Sequence, residues 1–437
     1  MVIVLNKLLC HLTHGKLLLK FCIMDEQETN IATFVDFFDF DLPGNVFNTA
    51  IALGDVDNDN EIELVIGSME GDLYIFKGHR LIQKISGLGI ITAIAIGDLM
   101  NCGSNALIVI SGDGWCHIYL CLKFSKLDPT DECIMKLEPV HDQRIPANTK
   151  VILLGDIDSD GMLELIVGLT DRVVRSYRWS QSAAAGRLVP LHKWECANQI
   201  GSIILIKDVK NRPCLLVSQP GVTAMRFYCP IAFPELIEKT IEYENENELP
   251  LELLNPSISS LMIGDLKVDT NCEQELFDIN DHLYGIASLN GLIMLAKKET
   301  ILWSKSMDQE LFVLSKLSIA EGGPDYLVTC SSNGDTLVVD QKSQHATFKF
   351  GESVSAFCCG MYTVKPNTKS MSSFVFITNS QKVYIYYGLK LPSTCVQSLS
   401  KCIENDNQLS KYMDKYKGPL KKKIIRDCLY KYNPDKI

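Results

Sequence analysis

Between residues 34 and 387 the chain is a succession of short apolar strands broken by Gly, Asn and Asp turns. No stretch of it shows sustained helical periodicity. Two patterns recur there in fixed order. The first is an alternating strand that ends in Gly-Asp, seen at Gly54-Asp55, Gly97-Asp98, Gly155-Asp156 and Gly264-Asp265. The last interval is about twice the others, and Ile206-Lys207-Asp208 falls inside it as a copy that has lost its glycine. The second pattern is strand, tight turn, strand. It runs through Leu64-Val65-Ile66-Gly67, a turn at Gly71, and Leu73-Tyr74-Ile75-Phe76. Later turns fall near Gly114, Arg172, Gly221, Gly291, Gly334 and Gln381, which makes seven copies. The last two, 327–339 and 374–387, keep the hairpin without the Gly-Asp ending.

An all-β chain whose motif repeats in one order predicts a seven-bladed β-propeller. About 355 residues in seven units is about 51 each, the size of a four-stranded blade with its loops. A lone blade cannot bury both faces, whereas a ring of them can. Two separate β-sandwiches are the alternative, but sandwiches do not repeat one motif order seven times. Closure needs an extra strand, and the run Phe34-Val35-Asp36-Phe37-Phe38-Asp39-Phe40 is expected to pair with the last blade. The domains are then an N-terminal extension at 1–33, the propeller at 34–388, and a basic, helical C-terminal extension at 389–437.

Within the extensions, residues 1–23 are apolar but interrupted by Lys7, His11, His14, Lys16 and Lys20, which makes a poor signal peptide. One reading is that the native chain starts at Met24, which opens an acidic stretch. Two short helices are expected at 396–416 and 419–431. Leu420, Ile424, Cys428 and Leu429 give the second one apolar face, and Lys421-Lys422-Lys423 reads as a solvated run. Long loops are expected at 122–147, at 267–282, and at 233–256, where Glu242, Glu244, Glu246 and Glu248 cluster.

Composition narrows the function classes. The net charge of −11 argues against nucleic-acid binding, which needs a basic stripe, and against adhesion to anionic membranes. No apolar run reaches the ~18 residues of a membrane span. The 16 cysteines are scattered without C-x-x-C spacing, and no N-x-[ST] sequon is present with x other than proline. Both points favour a reducing, cytoplasmic location. No P-loop, G-x-S-x-G or H-E-x-x-H motif is present, and the histidines are dispersed, so the chain reads as a binding protein rather than an enzyme.

One kind of site stands out. Asp55, Asp57, Asp59 and Glu63 occupy loop positions 1, 3, 5 and 9, and so do Asp156, Asp158, Asp160 and Glu164. Alternate residues of a tight loop point inward, so this spacing suits a hard cation, Ca²⁺ or Mg²⁺, with oxygen ligands. Gly161, and Asn60 in its place in the first loop, stand where the turn wants positive φ. The other reading is that Asp and Asn simply make the turn, their charges separated by water. No cofactor is required on either reading. The second and fifth loops, opening at Asp98 and Asp265, lack the ligand series and are expected to be metal-free.

The Gly-Asp-x-Asp-x-Asp loops followed by Glu-Leu-x-x-Gly resemble FG-GAP repeats, known from integrin α-subunit propellers. A longer string begins at Ile145-Pro146-Ala147-Asn148-Thr149-Lys150-Val151 and passes through Gly155-Asp156-Ile157-Asp158 and Glu164-Leu165-Ile166-Val167-Gly168. It ends in Thr170-Asp171-Arg172-Val173-Val174-Arg175 and Trp179. This string is similar to the integrin-alpha FG-GAP repeat-containing protein 2 family. Weaker similarity runs from about residue 34 to 434, including Val354-Ser355-Ala356-Phe357-Cys358 and Leu429-Tyr430. The resemblance implies a non-catalytic scaffold subunit of the KICSTOR complex, partnered by the propeller kaptin and the other KICSTOR subunits. It implies indirect contact with a GATOR complex, tethered at the lysosomal surface, and restraint of the TOR kinase when amino acids or glucose are scarce. Placement at the lysosome would come through the complex, without direct membrane insertion. The alternative function is an extracellular, cation-dependent adhesion propeller of the integrin kind, which requires secretion.

Overall fold

The structure, a computed structural model, describes residues 8–13, 16–21, 31–121, 136–181, 186–208, 212–220, 222–229, 260–268, 282–297, 300–307, 309–319 and 323–392. Ala32–Lys390 forms one compact unit. It is a β-propeller of seven antiparallel sheets. Blade 1 runs Val46–Gly54, Glu63–Ser68, Leu73–Lys77 and Arg80–Ile85 in spatial as in chain order. Each later blade repeats this meander, and blade 4 shows three of its strands among the described residues.

Burial follows position in the blade. First strands of neighbouring blades pack on one another around the axis. Second strands, such as Glu63–Ser68 and Glu164–Leu169, are buried along their whole length. They lie between two other blades, which is why they read as continuous apolar runs rather than as alternation. The core is therefore a set of layers between blades. Ile108 and Ile110 of blade 2 meet Leu165 and Val167 of blade 3. Ile166 and Val174 of blade 3 meet Leu215 and Val217 of blade 4. Between blades 6 and 7 the layer is aromatic, with the Phe350 and Phe376 rings stacked 4.4 Å apart.

The repeated glycines mark close approaches between inner strands. A Cβ on Gly54 would come 3.0 Å from Ile96 of blade 2, and one on Gly97 would come 2.8 Å from Leu154 of blade 3. On Gly155 it would come 3.0 Å from Leu205 of blade 4. The Gly of each Gly-Asp thus sits where neighbouring inner strands leave little room for a side chain. Gly360 completes the ring, since a Cβ there would come 3.0 Å from Leu53 of blade 1. Blade 7 has therefore kept the glycine of its landmark and lost only the aspartate. Blade 6 has Leu317-Ser318 at that place.

The ring closes as expected. Asp36–Asp41 pairs antiparallel with Lys382–Tyr387, from Lys382↔Asp41 to Tyr387↔Asp36, and supplies the outermost strand of blade 7. Thr33 bridges Lys390 beside it, so the propeller begins just before the boundary at residue 34.

Other expectations are corrected. The loop at 122–147 contains a strand, Leu137–Arg144, which is the outer strand of blade 2. Its sequence, LEPVHDQR, is exposed at half its positions and so lacks the apolar signal of inner strands. In the other unit of the chain, Leu8–Thr13 and Lys16–Phe21 pair as an antiparallel hairpin, from Leu8↔Phe21 to Thr13↔Lys16. The two C-terminal helices and the acidic loop at 233–256 lie outside the described residues. So does the loop at 267–282, apart from Lys267, Val268 and His282.

Candidate functional site

The first strand of blade 1 delivers the chain to Asp55, and the second carries it away from Glu63. Between them the Asp55 carboxylate accepts the N–H of Asp59 at 3.2 Å and of Asn60 at 2.8 Å. Blade 3 repeats the geometry, with Asp156 accepting from Asp160 at 3.2 Å and Gly161 at 2.8 Å. Asn58, Asn60 and Gly161 have φ of 60°, 70° and 87°, as the turn demands. Blade 2 builds the same loop without further carboxylates, for Asp98 accepts from Cys102 at 2.9 Å and Gly103 at 2.7 Å. The first aspartate therefore caps the turn, and its role is common to all three loops.

The remaining carboxylates converge as their spacing predicts, and they converge on a side chain. The Lys77 ammonium lies 2.8 Å from Asp57, 2.6 Å from Asp59, 3.0 Å from Glu63 and 3.4 Å from Glu61. In blade 3 the Arg178 guanidinium lies 2.9 Å from Asp158 and 2.8 Å from Asp160, and its Nε donates to Glu164 at 2.7 Å. Both basic residues sit on the third strand of their blade. Arg178 stands directly opposite Glu164, and Lys77 stands opposite Glu63 one step beyond the Leu64↔Phe76 pair.

The two glutamates are the most enclosed members. Both side chains are 0% exposed, against 17% for Lys77 and 22% for Arg178. Glu63 Oε2 accepts the N–H of Val56 at 3.0 Å, and Glu164 Oε2 accepts that of Ile157 at 3.0 Å. Burial pushes the Glu63 carboxyl up to about 7 and raises that of Glu164. Burial alone would lower the Lys77 ammonium, but hydrogen bonds to Asp57, Asp59 and Glu63 reverse that and raise it. Arg178 is raised in the same way by Glu164 and Asp158.

Oxygens of Asp55, Asp57 and Glu63 lie within 4.8 Å of one another, as do those of Asp156, Asp158 and Glu164. Metal–oxygen distances of about 2.3–2.6 Å would place a divalent ion on these trios in contact range of the ammonium or guanidinium. The trios fit a cation, and the place beside them is taken by one belonging to the chain. Asp57 Oδ1 is buried without a hydrogen bond.

The loops also join neighbouring blades. Asn105 N donates to Asn58 Oδ1 at 2.7 Å, and Asn105 Nδ2 donates to the Asp55 carbonyl at 2.9 Å. One blade on, Leu163 N donates to Asn101 Oδ1 at 2.7 Å. At the closing seam Ile62 N donates to Thr363 Oγ1 at 2.9 Å. Elsewhere the loop position is served by other pairs: Arg212 Nε donates to Asp208 at 2.9 Å, and Lys316 donates to the Asp265 carbonyl at 2.6 Å. Lys77, Arg178, Asn58 and Asn101 escaped the sequence reading. A signal did exist for the two cations, because each follows the second loop aspartate by 20 residues.

A family model described as integrin-alpha FG-GAP repeat-containing protein 2 matches residues 77–391. A Mus musculus protein named KICSTOR complex protein ITFG2 is 33% identical over 396 residues, 85% of this chain and 88% of that protein. Its Bos taurus namesake is 31% identical over 393 residues, 85% of this chain and 74% of that protein. Among solved structures, a chain from a crystal structure of BBS1N in complex with ARL6DN, soaked with mercury, superposes with a TM-score of 0.55. It is 14% identical, and the match covers 84% of this chain and 98% of that one. Saccharomyces cerevisiae Sqt1 gives a TM-score of 0.50 at 11% identity, covering 81% and 98%. At such identities these structures speak for the propeller alone. The family match and the two mammalian relatives speak for descent, and the chain belongs to the integrin-alpha FG-GAP repeat-containing protein 2 family.

Proposed function

We propose that the protein is a non-catalytic scaffold subunit of a KICSTOR-type complex. The observation that carries this reading is the alignment over 85% of the chain with mouse and bovine proteins that bear the KICSTOR name. In the finer form of the proposal it works beside a kaptin-like propeller and the other subunits. It helps tether a GATOR complex at the lysosomal surface, and thereby restrains TOR signalling when nutrients are scarce. No helix among the described residues is long and apolar enough to cross a membrane.

The chemistry of the described residues supports a structural role. The acidic loops are engaged within and between blades, and the buried thiols of Cys116 and Cys330 are pushed up to about 12 by burial. Such thiols are packing groups rather than nucleophiles. The test is affinity purification of the tagged chain from its own cells, followed by mass spectrometry. Co-purification of a kaptin-like propeller with other KICSTOR subunits is expected, and recovery of none of them overturns the reading.

A further inference from the structure

We propose that Lys77 and Arg178 are built-in cations that take the place of a divalent metal, so that the first and third acidic loops are closed without any ion. One ammonium reaches four carboxylates within 3.4 Å, and one guanidinium reaches three. Each cation is fixed on a regular strand, opposite a glutamate with no solvent exposure. A metal bound to the same oxygens would have to share their field with a positive charge already in contact, or expel it into solvent.

The repeats supply an internal control. In blade 2 the residues at loop positions 3 and 5 are Met100 and Cys102. One step beyond the Leu107↔Tyr119 pair, Ala106 and Leu120 stand where blades 1 and 3 have the glutamate and the cation. Carboxylates and counter-charge have gone together, yet the loop keeps its Asp98 cap and its shape. The backbone of this loop therefore needs no ion, and what needs neutralising is the acid set itself. A basic residue alone does not make the device: in blade 5 Lys297 stands opposite Leu283, with no glutamate there. Against the proposal stand Asp57 Oδ1 and Glu63 Oε1, buried atoms without a hydrogen bond on which a metal could still act, although Glu63 Oε1 lies 3.0 Å from the Lys77 ammonium.

Thermal melts of the full chain in chelator and in millimolar calcium or magnesium decide the matter. The parent protein is expected to melt at the same temperature in all three. Lys77→Met and Arg178→Met each strand a buried carboxylate, and each should melt about 5 °C lower in chelator, with Lys77→Arg and Arg178→Lys recovering most of the loss. A parent melting temperature that rises and saturates with either metal overturns the proposal. So do methionine variants as stable as the parent in chelator. If a methionine variant does not fold, calorimetric titration of the parent with calcium and magnesium decides alone: no heat of binding upholds the proposal, and saturable binding sinks it.

Discussion

Asn58 and Asn105, in loops of adjacent blades, grip each other: Asn105 N donates to Asn58 Oδ1 at 2.7 Å, and Asn58 Nδ2 donates to the Asn105 carbonyl at 3.3 Å. Asn58 does this from φ 60°, where few other side chains sit without strain. Replacing Asn58 by Gly keeps the backbone and removes the bonds, and should cost about 1–2 kcal/mol. Asn58→Ala adds the strain and should cost about 1 kcal/mol more. Urea denaturation of both variants gives the comparison, and equal losses would remove the backbone part of the account.

The second-strand glycines should tolerate nothing larger. A Cβ at Gly67 would come 2.4 Å from Ile91 Cγ2 in the layer between blades 1 and 2. Gly67→Ala is expected to destabilise by about 1–3 kcal/mol through overpacking. Gly112, where the nearest atom would be 3.5 Å away, serves as the control, and Gly112→Ala should stay within about 0.5 kcal/mol of the parent.

At the seam of blades 7 and 1, the buried Tyr362 hydroxyl donates to the Gly78 carbonyl at 2.6 Å. Tyr362→Phe leaves that carbonyl without its donor at nearly constant volume. The expected loss is about 1–3 kcal/mol, and if the closing seam limits stability the variant should unfold faster while refolding at the parental rate. Stopped-flow denaturant jumps read both arms.

His345 should make stability depend on pH. Lys305 Nζ contacts its Nδ1 at 2.6 Å, and burial, then the Lys305 charge, lower the imidazole below its ordinary value. The folded state thus holds His345 neutral while the unfolded chain protonates it at about 6.5. This contribution is complete above that pH and is lost as pH falls through the lower, folded value. His192, lowered by burial, acts in the same direction. Denaturation between pH 7 and pH 5 should show a shallower fall for His345→Gln than for the parent.

The landmarks legible in the sequence were those on which two physical demands meet. Gly54-Asp55 and its copies combine a glycine demanded by crowding at the axis with an aspartate demanded by the turn, and the dipeptide is readable only where both demands hold. Gly360 shows what happens when only the first demand remains: the residue is present, yet no dipeptide announces it. Strand Leu137–Arg144 was hidden for the opposite reason. An outer strand exposed at half its positions and fully buried at one has little apolar periodicity to display. The acid sets were visible because their spacing is local. Their cations were not, because Lys77 and Arg178 are single basic residues in a later strand, and only pairing across the sheet gives them meaning.

The strand that closes the ring also sets a schedule for synthesis. Asp36–Asp41 leaves the ribosome hundreds of residues before its partner Lys382–Tyr387, and until then a segment carrying Phe37, Phe38 and Phe40 has an open edge. Asp36, Asp39 and Asp41 stand exposed along it. In the finished propeller they are surface charges. Before that partner exists, charges so spaced are of the kind that keeps an apolar strand from associating with other chains.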